Sequence, residues 1–344
     1  MARIVLADDG INFDGTTPER GPLGGAESSV ISLLEALAAR GHLVEACNMC
    51  TTRIEHRNVC WTPLSQGMPR SADLYIANRG DRLIPLMPGA KRIAFWVHNP
   101  ASYVMKWRYL HKLWRVKPAV VFIGDYHATT YPAWAPGGDR VVIPYGIPEL
   151  FRVAEPAFEP PPPRAIFTSN PLRSLDWLLT LWTESIRPRV PGAELHIFSG
   201  PATYGAAGDV KAGEMERVLG LARSLADAGV VLRKPVSKAR LIEELRASRT
   251  MLYRGDLNET FCLAVGEAQA VGVPAVVQNL GSVVERVRDG ETGRVVSNDG
   301  DFADAAVAIL SDDEIWRRYH DRALAIQRSW SWDDAAARFE DLIP

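Results

Sequence analysis

Two acidic residues eight positions apart, Glu259 and Glu267, stand in the stretch most able to do chemistry, Leu252–Gly293. It reads as strand, loop, helix, strand, loop, helix and turn. Thr260, Leu263, Ala264 and Glu267 follow helical spacing. That spacing predicts Glu259 at the helix mouth and Glu267 about two turns in. Free amides at such a mouth favour an anion, with phosphate the usual one. A carboxylate at the mouth and a second further in suit a ligand with a charged diphosphate and hydroxyl-rich ends. Gly272 and Pro274 break the helix and lead into the apolar run Pro274–Val277. Gly281 and Ser282 open the next loop, and Asp289–Gly290 makes a turn.

The elements that must position these groups repeat along the chain. Arg3–Ala7 is a short apolar run, predicted as a buried parallel strand. A long loop ends in Pro22-Leu23-Gly24-Gly25-Ala26-Glu27. Ser28–Arg40 then carries Val30, Leu33, Leu34 and Leu37 on one helical face. Leu43–Cys50, Ala72–Asn78, Lys91–His98, Ala119–Gly124 and Arg140–Pro144 are further expected strands. In Pro148–Arg164 four consecutive prolines predict a stiff extended connector. A second α/β series begins at Ala165–Ser169, with strands also at Glu194–Ser199 and Val230–Lys234. Its helices are expected at Leu175–Ile186, Met215–Ala228, Lys238–Ala247, Phe302–Leu310 and Asp313–Ser329. A last helix spans Ser331–Ile343, capped by Ser331 or Asp333. The expected division is an N-terminal lobe over 1–150, a linker over 151–164, a second lobe over 165–329, and a C-terminal helix over 330–344 that can pack back on the first lobe. Two such sheets facing each other would form a cleft at their C-terminal strand edges.

The chain has 344 residues, enough for two cores. A net charge of −2 argues against general nucleic-acid binding. Residues 1–150 carry 16 Lys+Arg against 13 Asp+Glu, or +3, and the remainder carries 23 against 28, or −5. The Cys47-Asn-Met-Cys50 spacing matches a metal or redox pair. On a strand, however, positions 47 and 50 face opposite sides, and no second pair or histidine cluster completes a site. The four cysteines therefore read as small apolar residues in a reducing compartment. No apolar run approaches the roughly 18–20 residues that span a bilayer. The expected location is cytoplasmic, with the inner membrane face open to peripheral contact.

Glu259-Thr-Phe-Cys-Leu-Ala-Val-Gly-Glu267 resembles the Glu-x7-Glu signature of retaining glycosyltransferases with the GT-B fold. The nearest resemblance is to glycosyltransferase family four, the glycosyl transferases group 1. Gly272-Val-Pro-Ala-Val-Val277, Gly281, Glu285 and Asp289-Gly-Glu-Thr-Gly293 follow in family order. Gly24-Gly25-Ala26-Glu27 resembles the family's glycine loop, His98-Asn99 its histidine after an N-domain strand, and Val141–Ile147 the segment before the linker. The resemblance implies two Rossmann-like parallel-sheet lobes facing across a cleft.

It also implies roles. Glu267 would accept hydrogen bonds from the ribose diol of a nucleotide sugar. Glu259 would lie by the donor sugar, and the amides of Thr260, Phe261 and Cys262 would reach sugar or phosphate. The departing diphosphate needs positive charge. Family members commonly supply an Arg and a Lys about five residues apart. Here Arg173 falls at the Lys position and Thr168 at the Arg position. Arg173 would serve alone, or Arg254 would join it. Gly24 and Gly25 would bring backbone amides to the β-phosphate. His98 would touch the transferred sugar or the acceptor, with a charge balance near pH 6–7 suited to proton or hydrogen-bond work. The base would rest on backbone of the loop 233–237, which contains Val236. Metal and organic cofactor are expected to be absent, with the nucleotide sugar as co-substrate.

The implied function is retaining, metal-independent transfer of a sugar from a nucleoside-diphosphate sugar to a glycan, lipid-linked or small-molecule acceptor. Bacterial polysaccharide or glycolipid assembly is the expected setting. Alternatives are a degenerate nucleotide-sugar- or glycan-binding protein, toward which Thr168 and Tyr145 (in place of the family's usual Asn) point, and an epimerase or phosphorylase on the same scaffold. Residues 103–117 hold five basic side chains and no acid. Tyr103, Trp107, Leu110 and Trp114 share one helical face there. Either they form a core-facing aromatic stripe with a solvated basic back, or the segment meets an anionic membrane or acceptor.

Overall fold

The computed structural model describes residues 1–21, 23–200 and 211–344. They fall into two compact units, Met1–Gly146 with Trp330–Pro344, and Ile147–Ser329. Pro22, at the head of the glycine loop, lies outside the described residues.

The first unit is built on an eight-stranded sheet: β1 Arg3–Asp8, β2 Leu43–Asn48, β3 Ile54–His56, β4 Val59–Pro63, β5 Leu74–Asn78, β6 Arg92–Trp96, β7 Ala119–Phe122 and β8 Arg140–Val142. Their order is β3-β4-β2-β1-β5-β6-β7-β8. Only β3 runs antiparallel. Ile4 to Ala7 are fully buried, as expected of a strand covered on both faces. The helix Gly25–Ala39 buries Val30, Leu33, Leu34 and Leu37.

The β3–β4 hairpin is absent from the sequence reading. Its two turn residues, Arg57 and Asn58, have φ of 46° and 62°. Both are left-handed, as a type I′ hairpin requires, but the Asn-Gly or Asp-Gly signature that marks such turns is missing. The Cys pair also sits differently: β2 ends at Asn48, so Cys50 lies beyond the strand. All four cysteines are free thiols. Burial, with Glu45 next, pushes the Cys47 thiol up to about 12.

The aromatic stripe is corrected as well. The helix Trp107–Val116 buries Tyr109 and Leu113, while Trp107 and Trp114 are 77% and 69% exposed. Packing is decided by the face that meets β6: Tyr109 lies against Phe95 at 6.2 Å and Tyr103 at 5.4 Å. Of the stripe read as able to face the core, Tyr103 packs against it, whereas Trp107 and Trp114 face solvent.

The second unit holds β9 Arg164–Phe167, β10 Glu194–Phe198, β11 Val230–Arg233, β12 Thr250–Tyr253, β13 Ala275–Gln278 and β14 Gly293–Val296. All are parallel, in the order β11-β10-β9-β12-β13-β14. Counted within the unit this is 3-2-1-4-5-6, the doubly wound dinucleotide-type order. β14 too goes unread in the sequence, where only its preceding Asp-Gly turn stands out. Gly293 lies where a Cβ would meet the Ala275 carbonyl oxygen at 2.0 Å, so the residue that joins β14 to β13 must be glycine.

The segment read as a linker lies within this unit. Phe151 is fully buried in its core, and Arg249 Nε donates to the Pro161 carbonyl at 2.6 Å. At the other end of the chain, the helix Trp332–Glu340 belongs to the first unit. Ser331 and Asp334 form a capping box there. Arg40 pairs with Glu340 at 2.8 Å.

Candidate functional site

In a doubly wound sheet, ligands gather outside the carboxyl ends of the strands where the strand order reverses. In the second unit that point lies between β9 and β12. The loops that leave these two strands carry Arg173 and Glu259. Asn170 shapes the first loop: its carbonyl accepts from Arg173 N at 2.9 Å and its side chain accepts from Leu172 N at 2.9 Å. The second loop turns on Asp256, whose carbonyl accepts from Glu259 N at 2.8 Å. Gly281, at φ 71°, lets this loop pass, because a Cβ there would lie 2.1 Å from the Asp256 carbonyl oxygen.

The two loops meet. Arg173 Nη1 is 3.0 Å from Asp256 Oδ1 and 3.9 Å from Glu259 Oε2. Tyr253 donates its hydroxyl to Glu259 Oε2 at 2.7 Å. Burial works against the charge on Arg173, but Glu259, Tyr253 and Asp256 outweigh it and hold the guanidinium pKa above its ordinary value. Burial, then Glu259, keeps the Tyr253 phenol well above its usual range and so protonated. Cys262 is likewise held as a thiol by burial, which rules out a ready thiolate nucleophile.

The helix that follows starts later than expected. It spans Leu263–Ala270, and Cys262 at its cap is left-handed with φ 63°. Glu259 therefore lies in the loop ahead of the helix, oriented by Tyr253 and Arg173 rather than at the mouth. Glu267 lies about one turn in, not two. A non-glycine residue in left-handed conformation is rare, and the sequence gives no cue for it. Phe261 and Cys262 are packed inward, with Arg286 stacked 4.1 Å over the Phe261 ring. Thr260 is buried beside them.

Glu267 has a partner that sequence reasoning missed. Lys238 Nζ lies 2.7 Å from each of its carboxylate oxygens. The Glu267 side chain is 5% exposed and that of Lys238 is 49% exposed. Lys238 opens the helix Lys238–Arg246, whose cap Ser237 accepts from Arg240 N at 3.4 Å. Val236, just ahead of it, packs against the core. The available signal was a lysine in the first turn after β11, at an end where cations are disfavoured. Arg254, in contrast, joins another network. Its Nε donates to Gln278 Oε1 at 2.9 Å and its guanidinium lies 4.9 Å over the Trp177 ring. The structure thus brings Arg173 and Glu259 together, gives Glu267 to Lys238, and places Arg254 elsewhere.

The first unit has its own reversal point, between β1 and β5. Asp8 ends β1, Asn78 ends β5, Arg79 follows and His98 lies just past β6. Arg79 Nη2 is 3.0 Å from Asp8 Oδ2, and its Nη1 is 3.0 Å from Glu27 Oε1. Glu27 thus comes from the glycine-loop motif. A Cβ on Gly24 would meet its Oε2 at 2.4 Å. Gly25 opens the helix itself. Asn78 donates its amide to Asp8 Oδ2, which leaves its carbonyl for His98 Nε2. His98 Nδ1 then accepts from the Tyr145 hydroxyl. These partners assign the tautomer: hydrogen on Nε2, lone pair on Nδ1. Burial, then Arg79 and His127, lowers the His98 pKa well below 6.5. The balance near pH 6–7 expected from the sequence is corrected: the imidazole is neutral and 4% exposed.

Two doubly wound parallel sheets define the class as a Rossmann-like fold of the GT-B kind. Residues 163–312 match the family described as Glycosyl transferases group 1. The resemblance read from Glu259 to Gly293 therefore holds. Over 189 residues the chain is 31% identical to D-inositol 3-phosphate glycosyltransferase of Nocardia farcinica, which covers 53% of this chain and 40% of that one. The chain spans half or less of the length of the curated relatives it matches first. Among solved structures it is similar to sucrose-phosphate synthase of Thermosynechococcus elongatus, with TM-score 0.74, 18% identity, and coverage of 98% and 97%. It is also similar to Anabaena HepE in complex with UDP and glucose, with TM-score 0.69, 13% identity, and coverage of 99% of each chain.

Proposed function

We propose that this protein is a retaining, metal-independent glycosyltransferase that moves a sugar from a nucleoside-diphosphate sugar to a hydroxyl-bearing acceptor. The observation that carries the reading is the meeting of Arg173 with Glu259 at the reversal point of the second sheet. A guanidinium there can neutralise the charge that builds on the departing diphosphate. Glu259, fixed by Tyr253, offers its free lone pairs to hydroxyls of the donor sugar. Glu267, 4% exposed, takes the ribose diol in this reading, with Lys238 as the cation it exchanges or shares. Val236 and its neighbours supply backbone for the base. The group 1 match over 163–312 supports the same reading. So do relatives named as glycosyltransferases and a neighbour that holds UDP and glucose.

Among the described residues no cluster of three potential metal ligands occurs. Arg173 supplies positive charge that a metal would otherwise bring to the diphosphate. His98, with both ring nitrogens engaged by Tyr145 and Asn78, positions the first unit's reversal point. The acceptor is a glycan, a lipid-linked molecule or a small molecule.

A thermal-shift screen against UDP-, GDP- and ADP-sugars, followed by anomer-resolved NMR of the product, tests the proposal. One nucleotide class should raise the melting point, and the new linkage should keep the donor's anomeric configuration. Turnover should survive EDTA. Donor binding without transfer across a broad acceptor panel, or inversion, would overturn it.

A further inference from the structure

We propose that the helix Trp107–Val116 seats the protein on an anionic lipid bilayer. No acidic residue lies between Asp81 and Asp125, while eight Lys and Arg do. Within that window two tryptophans one heptad apart, Trp107 and Trp114, stand on one face of the helix and out in solvent. The opposite face is already committed: Tyr109 and Leu113 are buried, and Lys112 Nζ holds Asp81 at 2.5 Å. The tryptophans are therefore not held in reserve for this unit's own core. Lys106, Arg115 and Lys117 flank them, exposed, and none forms an ion pair among the described residues.

This combination fits one surface better than others. Tryptophan favours the headgroup level of a bilayer, where its ring is half apolar and its N–H finds water or phosphate. Uncompensated cations around it are drawn to anionic headgroups, and a basic helix with tryptophan on its apolar side lies in the interface plane. A folded protein partner would need a far larger apolar patch than two rings. No helix among the described residues is long and apolar enough to cross a membrane, so the contact is peripheral.

Cosedimentation of the full chain with phosphatidylcholine vesicles, with and without about one-third phosphatidylglycerol, tests this. The chain should pellet with the mixed vesicles and leave them at about 0.5 M salt. Trp107→Ser/Trp114→Ser and, separately, Lys106→Glu/Arg115→Glu should each lower partitioning at least about tenfold with an unchanged melting point. Equal partitioning of wild type and both variants overturns the proposal. So does a wild type that stays in the supernatant. If the tryptophan variant instead turns a dimer into a monomer without changing vesicle binding, the face meets a second copy and the membrane proposal falls.

Discussion

The two sheets reverse strand order at equivalent places and fill them with the same chemistry, yet to different ends. At the second unit's reversal point Arg173 and Glu259 keep 28% and 17% of their side chains in solvent. At the first unit's, Asp8 is wholly buried, His98 nearly so, and the chain Asp8–Asn78–His98–Tyr145 engages both ring nitrogens of the histidine. Topology brings polar groups to a strand's carboxyl end in both. Burial decides whether they can trade partners for a ligand. A partly solvated ion pair exchanges partners more readily than a buried network, which loses hydrogen bonds that water cannot restore.

That contrast can be broken by substitution. Asp8→Ala should destabilise the fold by about 3–5 kcal/mol in urea unfolding, because it leaves Arg79 and Asn78 without their buried acceptor. Arg173→Ala should lower kcat/KM with the nucleotide sugar about 10²–10³-fold, yet leave stability within about 1 kcal/mol. Equal stability loss in the two variants would show that burial is not what separates the sites.

Acid should act on the closed site. Burial lowers the pKa of His98, and it lowers that of His127 to about 4. The unfolded chain protonates these histidines as pH falls through about 6.5, while the folded chain does not. Their contribution is thus complete above about 6.5 and is lost below it, down to about pH 4 for His127, at about 1.4 kcal/mol per pH unit for each group. A stability that stays flat from pH 7 to 5 would contradict the neutral network. Smallest of all, Tyr145→Phe should cost about 1 kcal/mol by removing the hydroxyl that serves His98. If it also leaves turnover unchanged, Tyr145 stands as a structural replacement for the family's asparagine.

Much of the fold was legible because apolar runs of four to six residues alternate with amphipathic helices, and that alternation implies parallel sheets. Three strands escaped notice for local reasons: the β3–β4 hairpin turns on Arg57-Asn58 without glycine, and β14 is four residues behind a turn. The helix Trp107–Val116 was legible as amphipathic but not in its orientation. The aromatic stripe could turn to the core or outward, and the place of Tyr109 against Phe95 turns Trp107 and Trp114 outward.

For the site, spacing singled out Glu259 and Glu267, a carboxylate pair ahead of a Gly-Pro strand, and the family resemblance added Arg173, a cation after the first strand of the unit. What they touch was not. Arg173 reaches Glu259 because β9 and β12 are neighbours across a strand-order reversal, 86 residues apart in sequence. Lys238 reaches Glu267, and Arg254 turns to Gln278 and Trp177, through packing that no local pattern encodes. The sequence by itself determined which residues could carry charge and which segments would be strands and helices, because both follow from side-chain type and local period. Tertiary structure alone decided which charges are paired, which are buried, and which remain open to a ligand, because pairing and burial depend on neighbours that lie far away along the chain.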